Sequence, residues 1–164
     1  MSYLLDANVF MSAKNLHYGL DFCPAFWDWL VHKGNTDTVF SIDKVADEIE
    51  AGQDELTDWA KTHGRHLFRR TPSALDARFG QVSNWATSQH YTPAAINTFL
   101  QAADFYLIAH ALAGNHVMVT HEHPSNSANR IKIPDACVGL AVQFMTPYQM
   151  LRIERARFVL GAHP

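Results

Sequence analysis

Tyr3-Leu4-Leu5-Asp6 is a run of apolar side chains closed by a carboxylate. Three apolar residues with no polar break suit a strand covered on both faces, the condition of a parallel sheet, with the acid at the strand's carboxyl end. The same kind of run returns at Thr38-Val39-Phe40-Ser41-Ile42 and at Val117-Met118-Val119-Thr120. Strands so far apart must be joined by crossovers, and the intervening sequence has helical spacing.

Working outward, a polar, Gly-containing connection follows Asp6, and Pro24 then opens a helix through Ala25, Phe26, Trp29 and Leu30 that stops at Gly34. Asp43 is placed to cap a helix carrying Val45, Ala46 and Ile49 up to Gly52, and Asp54 to cap another through Leu56, Trp59 and Ala60 to Gly64. Leu75, Phe79, Val82, Trp85 and Ala86 recur at three and four residues, Pro93 begins a further helix through Phe99, and Asp104 heads a stripe of Leu107, Ile108, Ala111 and Leu112 ending at Gly114. Arg130-Ile131-Lys132-Ile133-Pro134 alternates like a half-buried edge strand, and residues from about Pro147 to Val159 read as a last helix. The expected fold is α/β: one domain over residues 1–164, three layers α/β/α around a mostly parallel sheet, with a helical insertion in the middle third between residues 54 and 100.

Composition fits a packed domain. Of the 164 residues 48% are hydrophobic and 18% charged, and the net charge of −3 does not advertise a polyanion-binding surface. Cys23 and Cys137 have no partner spacing, so neither a disulfide framework nor a structural zinc site is suggested and two buried thiols are expected. His121-Glu122-His123 lacks the spacing of a zinc motif. There is no signal-peptide pattern and no apolar stretch near the ~20 residues that span a bilayer, so a cytoplasmic protein with no membrane partner is expected.

The acids carry the chemistry. In open parallel sheets functional groups gather beyond the carboxyl ends of the strands, where Asp6 and Glu122 fall. Asp104 shares the core-facing stripe of its helix, and Glu48 stands beside Ile49 and three residues after Val45. Carboxylates turned toward one sheltered place repel each other unless a cation joins them, and oxygen-only donors favour Mg²⁺ or Mn²⁺. Metal-assisted phosphoester chemistry follows from these residues.

Four motifs, Leu4-Leu5-Asp6-Ala7-Asn8-Val9-Phe10, Val45-Ala46-Asp47-Glu48-Ile49, Ala103-Asp104-Phe105-Tyr106-Leu107-Ile108-Ala109 and Val119-Thr120-His121-Glu122, resemble in order the acidic motifs of PIN-domain ribonucleases. Cys23-Pro24-Ala25-Phe26-Trp27-Asp28-Trp29-Leu30 and Lys132-Ile133-Pro134-Asp135-Ala136-Cys137 resemble landmarks of a PIN-like branch. The resemblance implies a PIN-like fold and an endoribonuclease of the kind found in VapC-type toxins. It implies Mg²⁺ or Mn²⁺ held by Asp6, Glu48, Asp104 and Glu122, with Asn8 and Thr120 in support. It also implies an RNA substrate, a cognate antitoxin over the acidic groove and a homodimer built on helices. The fourth motif departs from the family, which commonly has Asp where Glu122 stands. Lys14 and Lys44, shortly after strand ends, are the candidates for RNA contact. Two other readings compete: a haloacid-dehalogenase-type phosphatase, whose second aspartate would here be Asn8, and a PIN-like module that binds RNA or protein without cutting.

Overall fold

The computed structural model describes residues 1–162. Strands β1 (Tyr3–Leu5), β2 (Val39–Ile42), β3 (Phe68–Arg69), β4 (Val117–Val119) and β5 (Phe144–Met145) form one parallel sheet in the order β3-β2-β1-β4-β5. Tyr3 lies opposite Val39 and Val117, and Leu4 opposite Phe40 and Met118. Every residue of β1, β2 and β4 is buried, as expected of largely apolar strands covered on both faces. Ser41, the polar member of β2, donates from Oγ to the Leu5 carbonyl at 2.7 Å, so its hydroxyl is buried with a partner.

Nine α-helices accompany the sheet among the described residues: α1 (Ala7–Ser12), α2 (Pro24–Asn35), α3 (Asp43–Ala51), α4 (Glu55–His63), α5 (Asp76–Ser88), α6 (Pro93–Gln101), α7 (Ala103–Gly114), α8 (Ile133–Leu140) and α9 (Pro147–Ile153). They complete a three-layer α/β/α arrangement. One hydrophobic cluster runs from Tyr3 to Leu151 and takes in the sheet with the inner faces of the helices. Trp27 and Trp59 meet edge to face at 4.8 Å within it, where their large apolar area counts most. Cys137 is buried, whereas Cys23 is half-buried, and both are free thiols. No helix among the described residues is long and apolar enough to cross a membrane.

The structure departs from the sequence expectation in four places. Residues 7–17, read as a connection, are helical: α1 runs into a π-turn, Ala13–His17, closed by the Tyr18 N–H on the Ala13 carbonyl at 2.7 Å. Buried Val9, Phe10 and Ala13 explain it, since they share one face of a helix that starts directly from β1. Arg130 to Pro134 is no edge strand. Ile131 and Ile133 are buried, but Ile133 begins α8 and Pro134 sits in its first turn, where a missing N–H costs nothing. The edge position belongs instead to β5. The last helix stops at Ile153, because Arg155 adopts φ 53°, a left-handed conformation that ends a helix.

Asp43, the fourth case, is the first helical residue of α3 and not its cap. Its Oδ1 accepts from the Thr71 hydroxyl at 3.2 Å, tying α3 to the segment after β3. Asp54 does cap α4, with Thr57 completing a capping box.

What matters for function is where the strand order turns. From β1 the sheet extends through β2 to β3 on one side and through β4 to β5 on the other, so the order reverses between β1 and β4. Chains leaving these two neighbours diverge and leave a crevice beyond their carboxyl ends.

Candidate active site

Asp6 leaves β1 in an extended conformation and precedes α1, yet its side chain makes no capping bond to that helix. The capping explanation for this acid therefore fails. Its Oδ2 accepts instead from the Thr120 hydroxyl, one residue past β4, at 2.8 Å. Thr120 Oγ1 also accepts from Asn8 Nδ2 at 3.2 Å and from the Glu122 N–H at 3.1 Å, while Asn8 Oδ1 accepts from the His121 N–H at 3.1 Å. The two strand ends are thus sewn together by side chains, with every hydrogen-bonding position of one buried hydroxyl in use.

Asp104 occupies the first turn of α7, whose cap residue, Ala102, offers no side-chain bond. Glu48, on α3, stands exposed at the rim. These two acids, Asp6, Glu122 and Asn8 line one cavity of about 580 Å³, together with Met11, α6 residues such as Thr98 and Phe99, and Asn129, Arg130 and Ile131. The sequence reading expects these four distant acids to converge around one cation; the structure brings all four to the wall of one cavity. They are not drawn onto one point: among the described residues no three His, Cys, Asp or Glu side chains are close enough to hold a metal ion as they stand.

Charge explains the character of the cavity. Burial pushes the Asp6 carboxyl up from its usual 3.8 to about 7, against the pull of the Thr120 hydroxyl, and the charges of Glu122 and Glu48 add to the rise. Asp104 is raised well above the usual range by burial first, then by Asp6, Glu122 and Glu48, with Arg130 acting the other way. Glu48 is raised by burial and lowered by the Ala103 N–H. Next to them the Cys137 thiol is driven to about 12 by burial and by Asp6 and Glu122, so it stays protonated and inert at neutral pH.

Glu122 stands apart from the other three. Its Oε1 accepts from Arg130 Nη2 and its Oε2 from the Ile133 N–H at the start of α8, each at 2.9 Å. Both oxygens have partners, which its expected place as a metal ligand did not foresee. Lys14 and Lys44 do not line the cavity. Lys14 pairs with Asp54 at 2.9 Å, and the Lys44 ammonium lies 5.1 Å from the Tyr106 ring centre. The cation at the cavity is Arg130, which sequence reading ranked with neither of them. The alternation from 130 to 133 shows that Arg130 faces away from buried Ile131 and Ile133, but not that it reaches the site.

Fold and site together define an open parallel α/β domain with an acidic cavity at the turning point of its sheet. The chain belongs to the family described as Domain of unknown function (DUF4411), matched over residues 3–158. No curated protein and no solved structure matches it.

Proposed function

We propose that this protein is a divalent-metal-dependent endoribonuclease of PIN-like type. The observation behind this reading is that carboxylates from four separate elements line one cavity, and that Asp6 and Asp104 are deeply placed there with neither in an ion pair among the described residues. Like charges in a sheltered place raise each other's pKa and cost stability, and a hard divalent ion removes both penalties. The donor set, oxygen throughout, fits Mg²⁺ or Mn²⁺, with Asp6 and Asp104 as the ligands and Glu48 completing the set. When bound, such an ion supplies a more acidic water and offsets charge on a phosphodiester.

The chain's own residues do the rest. Thr120 holds Asp6 Oδ2 in one orientation, and Asn8 holds Thr120 through Oγ1 while gripping the backbone at His121. Asn8 carries a carboxamide, which cannot serve as a general acid, and the phosphatase reading lacks one at that place. Family resemblance extends the proposal to a toxin whose cognate antitoxin covers the cavity.

The test is cleavage of a structured RNA by the purified protein and by Asp104→Ala, with Mg²⁺, Mn²⁺ or excess chelator. Cleavage by the wild type with metal alone, and none by the variant, is expected. Equal activity in the variant, or a folded wild type inert under every metal, removes the assignment. Hydrolysis of a small phosphomonoester through an aspartyl phosphate would favour the phosphatase.

A further inference from the structure

Arg130 is a cation set among acids, and its surroundings separate it from an ordinary surface arginine. Its side chain is 66% exposed, while that of its partner Glu122 is only 13% exposed. Glu122 is fixed at three points: its N–H on Thr120 Oγ1, its Oε2 under the Ile133 N–H, and its Oε1 under Arg130 Nη2. The segment that carries Arg130 is pinned as well. Asp135 accepts from the Ser125 N–H at 3.0 Å, and the Ala128 carbonyl accepts from the Thr92 N–H at 2.9 Å, at the cap of α6. The guanidinium is therefore delivered to the cavity wall by an anchored loop and held there by an anchored acid.

Among the described residues only its Nη2 makes a hydrogen bond, and a guanidinium has five N–H donors in a planar fork that matches phosphate oxygens. We infer that Arg130 binds the phosphodiester of the substrate, and that Glu122 is the residue that positions it. The inference rests on the nuclease reading above. Glu122 then keeps Arg130 Nη2, and the remaining edge of the guanidinium takes the anion.

This also accounts for glutamate at position 122. One carboxylate must reach both the first N–H of α8 and Arg130, and an aspartate is a methylene shorter.

Steady-state cleavage of a single-stranded RNA oligonucleotide over a range of salt concentrations tests the inference. It compares the wild type with Arg130→Lys, Arg130→Gln and Glu122→Gln, and Mn²⁺ affinity is measured for each by electron paramagnetic resonance. Arg130→Gln should raise KM roughly tenfold or more, the loss expected of charge-assisted bonds, with a smaller change in kcat. The slope of log KM against log salt should fall by about 0.7, the share of one phosphate contact on a single strand. Arg130→Lys should fall between. Glu122→Gln should raise KM less than Arg130→Gln and leave Mn²⁺ affinity unchanged.

A KM in Arg130→Gln within about twofold of the wild type overturns the inference, as does a fall in Mn²⁺ affinity in Glu122→Gln, which would make Glu122 a ligand. A wild type that neither cleaves nor binds RNA defeats the nuclease reading instead. Arg130 is mostly exposed, so circular dichroism should show Arg130→Gln folded.

Discussion

Two regions of this molecule shelter carboxylates from water, and they do so in opposite ways. Where α2 meets the end of α9, Glu154 faces Lys33 at 2.8 Å, each side chain about a fifth exposed, and the lysine's hydrogen bond holds the carboxyl below its usual range. In the cavity beyond β1 and β4, burial holds Asp6 and Asp104 above theirs, and Arg130, the cation in its lining among the described residues, is paired to Glu122. An acid that serves the fold is given a partner by the fold. An acid left raised is a cost to stability that persists only where the site is used for something else. The contrast predicts that neutralising acids in the two regions moves stability in opposite directions.

The largest effect should come from Asp104→Asn. If the carboxylate holds the ion, RNA cleavage should fall on the order of 10²-fold or more, as when other electrostatic groups are removed from active sites. The same change removes a like charge from the cavity, so the melting temperature of the metal-free variant at pH 8 should exceed that of the wild type by several degrees. Lost activity with lowered stability would break the contrast, because it would make Asp104 a structural acid like Glu154.

Next in size is the pH dependence of the metal-free protein. Asp6 keeps its proton up to about pH 7 when folded, whereas the unfolded carboxyl loses it near 3.8. Between those values the folded state binds more protons, so stability is fully present below the lower value, falls as pH rises, and levels off above about 7. For a displacement of this size the loss is on the order of 4 kcal/mol at most. Thermal melts from pH 4 to pH 8 should therefore decline, and Mn²⁺ at pH 8 should recover much of the loss by binding the ionised, folded form. A flat profile, or one that Mn²⁺ does not move, would remove the strained acids from the cavity.

How much of this was legible in the sequence depends on the length of each signal. Tyr3 to Leu5, Thr38 to Ile42 and Val117 to Thr120 announce themselves as buried strands because apolar side chains dominate both faces, with Ser41 the polar exception inside β2. Asp6 and Asp104 were visible through their apolar neighbours, and Val45 with Ile49 separated Glu48, which lines the cavity, from Asp47, which does not. The edge strands β3 and β5 are two residues each, too short to show any period. α1 was hidden because six residues give fewer than two turns, too few to establish a helical period.

Arg130 was the costlier omission. Its alternation with Ile131 and Ile133 was read as a strand, whereas the same pattern arises when an extended segment feeds the first turn of α8. Only tertiary contact, the bond to Glu122, marks it as part of the site.

The smallest effect tests the other side of the contrast. Glu154→Gln removes the charge from a partly sheltered pair without touching the cavity, so RNA cleavage should be unchanged and stability at neutral pH should fall by about 1 kcal/mol, the upper end for pairs with some solvent access. Here the sign with pH is reversed. The folded carboxyl of Glu154 lies below its unfolded value, so the stabilisation is present above that unfolded value and disappears as pH falls through the folded one. Urea titrations of wild type and variant should differ at pH 7 and converge as the solution is taken below about pH 4, in the range where the metal-free cavity is at its most stable. A gap that widens on acidification would show that Lys33 does not hold Glu154 ionised, and paired and unpaired acids would no longer separate the two regions.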